Sequence, residues 1–221
     1  MSSLYVVATP IGNLGDITLR ALETLKEVDV IACEDTRRTL KLLNHFGIKK
    51  PLISFHQHSK IQKVEQIIST IIAGQDVALV TDAGTPGISD PGQVLIKAAY
   101  EAKIKVVPIP GVSALIAIVS ISGVEDNDFE FLGFLPHKKG RQTKLKQIAQ
   151  KTKPVVLYES PYRIKKLLSE LLSETGDQHV VVGRELTKQF EEIYRGKISE
   201  VLPQIKEKGE FVVIVEGKKS E

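Results

Sequence analysis

Apolar and polar positions along the chain fall into two alternating rhythms. Short runs rich in β-branched residues occur at LYVVAT (4–9), DVIAC (29–33), PLISF (51–55), DVALVT (76–81) and KVVPIP (105–110). Between them lie longer segments whose apolar residues recur every three or four positions: ITLRALETLKEV (17–28), TRRTLKLLNHF (36–46), KIQKVEQIISTIIA (60–73) and GQVLIKAAYEA (92–102). The first rhythm predicts strands and the second amphipathic helices. Gly47 and Gly74 stand just past two of the helices, where a left-handed residue ends a helix well. The strands lack a regularly polar face, so they predict a parallel sheet covered by helices on both sides. A last apolar helix, VSALIAIVSIS (112–122), closes this block.

The pattern then breaks at GVEDNDFE (123–130), a polar, turn-rich linker. Beyond it, strands are predicted at FLGFL (131–135), PVVLYES (154–160), HVVVGRE (179–185) and FVVIVEG (211–217). Helices are predicted near 142–150, 162–175 and 198–206, and EEIYRGK (191–197) offers a hairpin strand. The sequence therefore predicts two α/β domains of similar size, 1–122 and 123–221.

Composition narrows the class without choosing within it. The 221 residues are 42% hydrophobic and 26% charged, as in an ordinary soluble enzyme. No apolar run approaches the roughly 18 residues of a membrane span, and the opening MSSLYVVATP lacks the basic start of a secretory signal. One cysteine, Cys33, at a strand end, reads as a small buried apolar residue and suits a reducing cytoplasm. A net charge of +3 is too small to imply nucleic acid by itself. The pair His56 and His58 is too sparse to define a metal site, so no metal is expected; a substrate-facing loop is the other reading.

Candidate chemistry lies in the loops after the strands, because ligands of parallel sheets sit beyond the carboxyl ends. These loops read TPIGNLGD (9–16), EDTR (34–37), DAGTPGISDPG (82–92) and PGVSA (110–114). Three of the four combine glycine with proline, which lets backbone approach a ligand closely from a fixed shape. Neither G-x-G-x-x-G nor G-x-x-x-x-G-K-[ST] occurs, so the dinucleotide fingerprint and the P-loop are both missing. Such loops suit a ligand held by shape and backbone hydrogen bonds rather than by phosphate charge. Asp90, before Pro91, reads as the start signal of the next helix.

The stretches LYVVATPIGNLGDITLRALETL, IACEDTR, LVTDAGTPGISDPG, PIPGVSA, YESPYR and GRELTK resemble the motifs of the S-adenosylmethionine-dependent tetrapyrrole-methylase-like enzymes. TPIGNLGDITLRAL together with DAGTPGISDPG resembles the branch of that superfamily that methylates ribosomal RNA. The resemblance covers residues 4 to 217 and implies two α/β domains with a cofactor cleft between them, unlike the common Rossmann-type methyltransferase, and a homodimer. It implies S-adenosylmethionine as cofactor and 2′-O-methylation of a cytidine ribose in the decoding region of 16S ribosomal RNA. With only 5% aromatic residues the chain has little means of selecting one nucleotide unaided, so recognition of the assembled small subunit by shape and charge is expected. Tetrapyrrole-modifying members read G-D-P where this chain has Gly84-Thr85-Pro86, which turns the expectation away from a porphyrinoid. A protein or tetrapyrrole acceptor, and a non-catalytic ribosome-binding protein, are the alternatives. Carried over by motif, Pro10, Ile11, Gly12, Gly84, Thr85, Pro86, Ile88, Ser113 and Ala114 would line the cofactor, with Leu135 and Leu186 near its adenine.

Transfer to a hydroxyl calls for a base or a stabilising cation. The candidates are Glu34, Asp35 and Arg37 in EDTR, Glu159 and Arg163 in YESPYR, and Glu185 and Lys188 in RELTK. Asp35 and Lys188 lead for proton handling, with Glu185 beside them, and Arg37 and Arg163 for phosphate positioning. Each of these has a second reading, an ion pair that fixes a loop. HKKGRQTKLK (137–146) holds five basic residues and no acid. Lys138, Lys139 and Arg141 are accordingly candidate RNA contacts, or else a solvated loop and helix start.

Overall fold

The computed structural model describes residues 2–56, 61–90, 92–124 and 128–218. The chain folds as two compact units, Met1–Ser113 and Ala114–Glu221. His58 and Pro91 lie outside the described residues.

The first unit follows the strand–helix alternation of the sequence. It runs β1 (Ser3–Val7), α1 (Leu19–Glu27), β2 (Val30–Cys33), α2 (Thr36–His45), β3 (Leu52–Ser54), α3 (Ile61–Ile72), β4 (Val77–Leu79), α4 (Gln93–Glu101) and β5 (Lys105–Ile109). The strands form one sheet in the order β3-β2-β4-β1-β5, every pairing parallel. Alternate residues of each strand feed opposite cores, as pleating requires. Leu4, Ala32, Val77 and Leu79 pack with Ile67, Ile71, Leu95 and Ala99 of α3 and α4. Val7, Ile31, Ala78 and Val80 pack with Ala21, Leu25 and Leu43 of α1 and α2. Cys33 belongs to the second cluster, and burial pushes its thiol up from the ordinary value. Thr18 caps α1 by accepting from the Ala21 N–H at 3.1 Å. Helix α4 begins from Gly92, two residues past Asp90, where the sequence places its start signal.

The second unit begins earlier than the sequence predicts, at Ala114 rather than at 123. Its first element is α5 (Ala114–Ser122), the apolar helix that the sequence assigns to the first block. The helix packs on the second sheet, against β8 and β10. The reason is local: a Cβ on Gly183 of β8 would lie 2.8 Å from Ile118 Cδ1, so a bare backbone there admits the helix. The unit continues with β6 (Glu130–Phe134), α6 (Arg141–Ala149), β7 (Val155–Glu159), α7 (Ile164–Thr175), β8 (His179–Arg184), β9 (Glu192–Lys197), α8 (Ile198–Val201) and β10 (Phe211–Val215). Sheet order is β6-β7-β10-β8-β9, with only β6 and β7 parallel. Strand β9 is the hairpin strand expected at 191–197. Leu145, Leu157, Leu167, Leu171, Val182, Ile198 and Val213 are among the residues of its core. No described helix is long and apolar enough to cross a membrane.

Candidate functional site

The strand order sets which loops meet. Strand β1 lies between β4 and β5, so the loops following these three strands emerge side by side at the carboxyl edge of the first sheet. Backbone joins them directly. The Thr9 N–H donates to the Gly84 carbonyl at 2.9 Å, and the Gly84 N–H donates back to the Thr9 carbonyl at 3.0 Å. The buried Thr9 hydroxyl donates to the Thr81 carbonyl at 3.1 Å. The Thr85 hydroxyl donates to the Val112 carbonyl at 3.2 Å, drawing in the loop after β5. Gly84 has φ +84, and a Cβ there would stand 3.3 Å from Ile11 Cγ2 and 3.7 Å from the Val112 oxygen. A glycine is required here by conformation and by space.

Ile11, Gly84 and Thr85 thus come together at this edge of the sheet. Gly84 and Pro86 are buried, Pro10, Ile11 and Thr85 are half-buried, and Gly12 and Ile88 are exposed. Ser113 ends the first unit, and Ala114 opens α5. Sequence reasoning passes over Thr9 and Thr81, whose only signal is a hydroxyl at the end of an apolar run. The three loops carry Asp16, Asp82 and Asp90 and not one lysine or arginine. Asp16 Oδ2 is buried without a hydrogen-bond partner, which leaves an acceptor open. An acid-flanked, backbone-lined set of loops fits a cationic sulfonium ligand with hydroxyl and ammonium donors. It does not fit a phosphate.

The loop after β2 is tied to the loop after β4. The Thr81 hydroxyl donates to Glu34 at 3.2 Å, the Asp35 N–H donates to Asp82 at 3.0 Å, and Arg38 pairs with Asp82 at 3.4 Å. Asp35 caps α2 by accepting from the Arg37 N–H at 2.8 Å. It also takes the Arg37 guanidinium in a fork, at 3.1 and 2.7 Å. These bonds hold the Asp35 carboxyl far below the ordinary range and raise Arg37. The cap and the fork tie Asp35 to the first turn of α2. Arg37 stays open to solvent around that pair.

The second unit holds the remaining candidates. Glu185 and Lys188 sit in a turn where Glu185 and Thr187 take φ +51 and +67, uncommon for side chains with a Cβ. Lys188 Nζ donates to Glu185 and Glu210 at 2.8 Å each. Burial works to lower the Lys188 pKa, but the two carboxylates outweigh it and the ammonium titrates above its ordinary value. Burial likewise works to raise Glu185, yet Lys188 and the Glu210 N–H bring it below the ordinary value. Both groups are therefore held charged. Leu186 packs over Gly183, and Leu135 is a core residue of this unit.

Arg141 requires a correction. The sequence groups it with Lys138 and Lys139 as a phosphate contact, but it is only 4% exposed. Its Nε donates to Glu170 at 2.8 Å, its Nη1 donates to the Pro136 carbonyl at 3.3 Å, and Nη1 lies 3.8 Å from Glu159. Glu159 itself is buried at the end of β7, where Arg163 Nη2 pairs with it at 2.7 Å. Arg163 Nη1 also donates to the Leu135 carbonyl at 3.3 Å, so most of its guanidinium is spent within the fold. A guanidinium turned inward cannot meet a phosphate; Lys138 and Lys139 remain exposed on the loop that these arginines hold. Among the described residues no group of three or more His, Cys, Asp or Glu could hold a metal ion.

Comparison with known proteins gives a consistent picture. The family described as Tetrapyrrole (Corrin/Porphyrin) Methylases matches residues 3–202. Proteins named ribosomal RNA small subunit methyltransferase I are similar along nearly the whole chain. The one from Halalkalibacterium halodurans is 47% identical over 97% of this chain and 76% of its own length. The one from Thermotoga maritima is 44% identical over 99% of this chain and 100% of its own. Among solved structures, the methyltransferase CobJ superposes with a TM-score of 0.75 at 16% identity, covering 100% of this chain and 98% of that one. Uroporphyrin III C-methyltransferase from Thermus thermophilus gives 0.69 at 18%, covering 97% of each chain. At these identities the two structures speak for the fold alone.

Proposed function

Since the chain belongs to the tetrapyrrole methylase family and groups with its ribosomal RNA small subunit methyltransferase I members, we propose that it transfers a methyl group from S-adenosylmethionine to ribosomal RNA. The acceptor in this reading is the 2′-hydroxyl of a cytidine in the decoding region of 16S RNA, within the assembled small subunit. The observation that carries it is the junction of the β1, β4 and β5 loops, knitted by backbone and with no lysine or arginine among the loops' own residues, in a chain with such relatives.

Bound S-adenosylmethionine supplies a methyl group already activated on a sulfonium, so alignment of the acceptor carries much of the rate. The residues that would hold it are Pro10, Ile11, Gly12, Gly84, Thr85, Pro86, Ile88, Ser113 and Ala114, with Leu135 and Leu186 from the second unit. Gly84 and Thr85 would shape the wall, since their backbone positions are fixed by Thr9 and Val112. Asp16 Oδ2 offers an acceptor for a ligand donor. Lys188, kept protonated by Glu185 and Glu210, would act as a fixed cation toward the acceptor oxygen rather than as a base. Lys138 and Lys139 would meet phosphates.

The reading includes a homodimer working in the cytoplasm. It is supported by α5, apolar almost throughout, on which Ile116 and Ile121 remain exposed. The deciding experiment incubates purified protein with small ribosomal subunits and methyl-labelled S-adenosylmethionine, then digests the RNA to nucleosides. Label in 2′-O-methylcytidine is expected. Label on a base, or none in RNA, would overturn the proposal.

A further inference from the structure

At the carboxyl end of β6 and β7, two aromatic rings stand in water beside the basic loop. Tyr162 is 90% exposed and Phe134 53% exposed. The strands are neighbours and parallel, with Phe134 opposite Tyr158, so both end at one edge of the sheet. The turn that carries Tyr162 is bonded to the residue after Phe134, because Arg163 Nη1 donates to the Leu135 carbonyl. Directly beyond Leu135 comes the exposed loop with His137, Lys138 and Lys139.

The rings rest on rigid supports. Phe134 meets Tyr158 edge-on at 5.6 Å between centroids, and Tyr158 also meets Phe131 at 5.0 Å. The Tyr158 hydroxyl accepts from the Leu115 N–H at 3.2 Å. Below them the buried Glu159 binds Arg163, which fixes the turn, and Arg141 holds the Pro136 carbonyl, which fixes the root of the basic loop. Glu159 is thus paired inside the fold, while Phe134, Tyr162, Lys138 and Lys139 are exposed.

Rings interleaved with lysines match one class of ligand: unpaired nucleotides, whose bases stack on aromatics while their phosphates meet cations. A duplex hides its bases in its own stack and would gain only from the lysines. We propose that Phe134 and Tyr162 form a base-stacking platform for single-stranded RNA, with Lys138 and Lys139 holding the adjoining phosphates. The inference rests on the RNA-methylation reading and adds to it how unstacked nucleotides beside the target are held.

The test measures binding of a labelled single-stranded oligoribonucleotide, and of a hairpin duplex of equal length, to the full chain across a salt series. Phe134→Leu and Tyr162→Leu should each weaken single-strand binding about tenfold, with the salt slope and duplex binding unchanged. Tyr162→Phe should bind as the parent does, since it keeps the ring. The double change Lys138→Glu and Lys139→Glu should reduce the single-strand salt slope by about 1.4. Leucine variants that bind the single strand within twofold of the parent overturn the platform, as does an equal loss on the duplex. Loss of self-association with RNA binding intact assigns the surface to a second copy of the chain and also overturns it. A parent that transfers methyl groups to small subunits while the leucine variants bind normally sinks the platform alone. A parent that binds the single strand but transfers nothing sinks the methylation reading and leaves the platform standing.

Discussion

Replacing Glu159 by glutamine removes one charge from the interior of the second unit at nearly constant volume. The carboxylate is wholly buried, with Arg163 at 2.7 Å and Arg141 at 3.8 Å. Removing one partner of a buried ion pair costs about 3–5 kcal/mol, because the charge left behind stays desolvated. The low end applies here. Arg141 keeps Glu170 at 2.7 Å, and Arg163 keeps the Ser160 hydroxyl at 3.2 Å and the Leu135 carbonyl at 3.3 Å. A loss of about 3 kcal/mol corresponds to a fall in melting temperature of roughly 6–12 °C for a chain of this size. The control is Asp128→Asn, which breaks the exposed pair with Lys153 at 2.7 Å. Such surface pairs contribute at most about 1 kcal/mol. Calorimetric melts of the two variants and the parent, at low salt and near 1 M, compare the sites directly. Salt should narrow the Asp128→Asn difference and leave that of Glu159→Gln in place. A fall below about 2 °C for Glu159→Gln, or one that salt removes, would refute the view of Glu159 as the buried anchor of two arginines.

Three other outcomes follow from the geometry. Gly84→Ala forces a side chain into a left-handed backbone at about 1–2 kcal/mol and presses on Ile11; S-adenosylmethionine affinity by calorimetry should fall at least tenfold, and unchanged affinity would remove this loop from the cofactor wall. Lys188→Arg should retain most of the methyl transfer that Lys188→Met loses, because a fixed cation and not a proton acceptor is needed; equal loss in both would contradict that role. Glu192, pulled down to about 2 by Lys206, Tyr194 and Arg184, favours the folded state above its unfolded value of about 4.5, and this contribution disappears as pH falls toward 2. Denaturant titrations should therefore show parent and Glu192→Gln converging between pH 4.5 and 2, and parallel curves would count against it.

The order of elements is legible in the sequence because both periodicities are strong. Strand β4 and the residue after it, for example, send Val77 and Leu79 to one core and Ala78 and Val80 to the other, leaving no polar alternation to blur the reading. Glycines in the loops can also be read, since Gly84 meets a demand that no other residue satisfies. The limits of the first unit cannot. Helix α5 is apolar on nearly every side, so its pattern is silent about which sheet it covers, and the vacancy that receives it is Gly183, far along the chain. Arg141 misleads for a similar reason. In a run of five basic residues, inward and outward side chains look alike, and Glu170 lies 29 residues away. The stacking aromatics escape notice because their neighbourhood arises from the pairing of β6 with β7.

The position of β1 has a consequence for the growing chain. It is made first, yet both its neighbours, β4 and β5, are made last in the unit. At ribosomal rates of about 5–20 residues per second, β1 waits several seconds without either partner. The bond pair between Thr9 and Gly84 cannot form in any nascent chain shorter than that, so no partial version of the loop junction exists during synthesis. Ligand binding at the junction would then serve as a readout of completed folding. Nascent chains stalled after β3 should ignore the ligand, and released full-length chains should be protected by it.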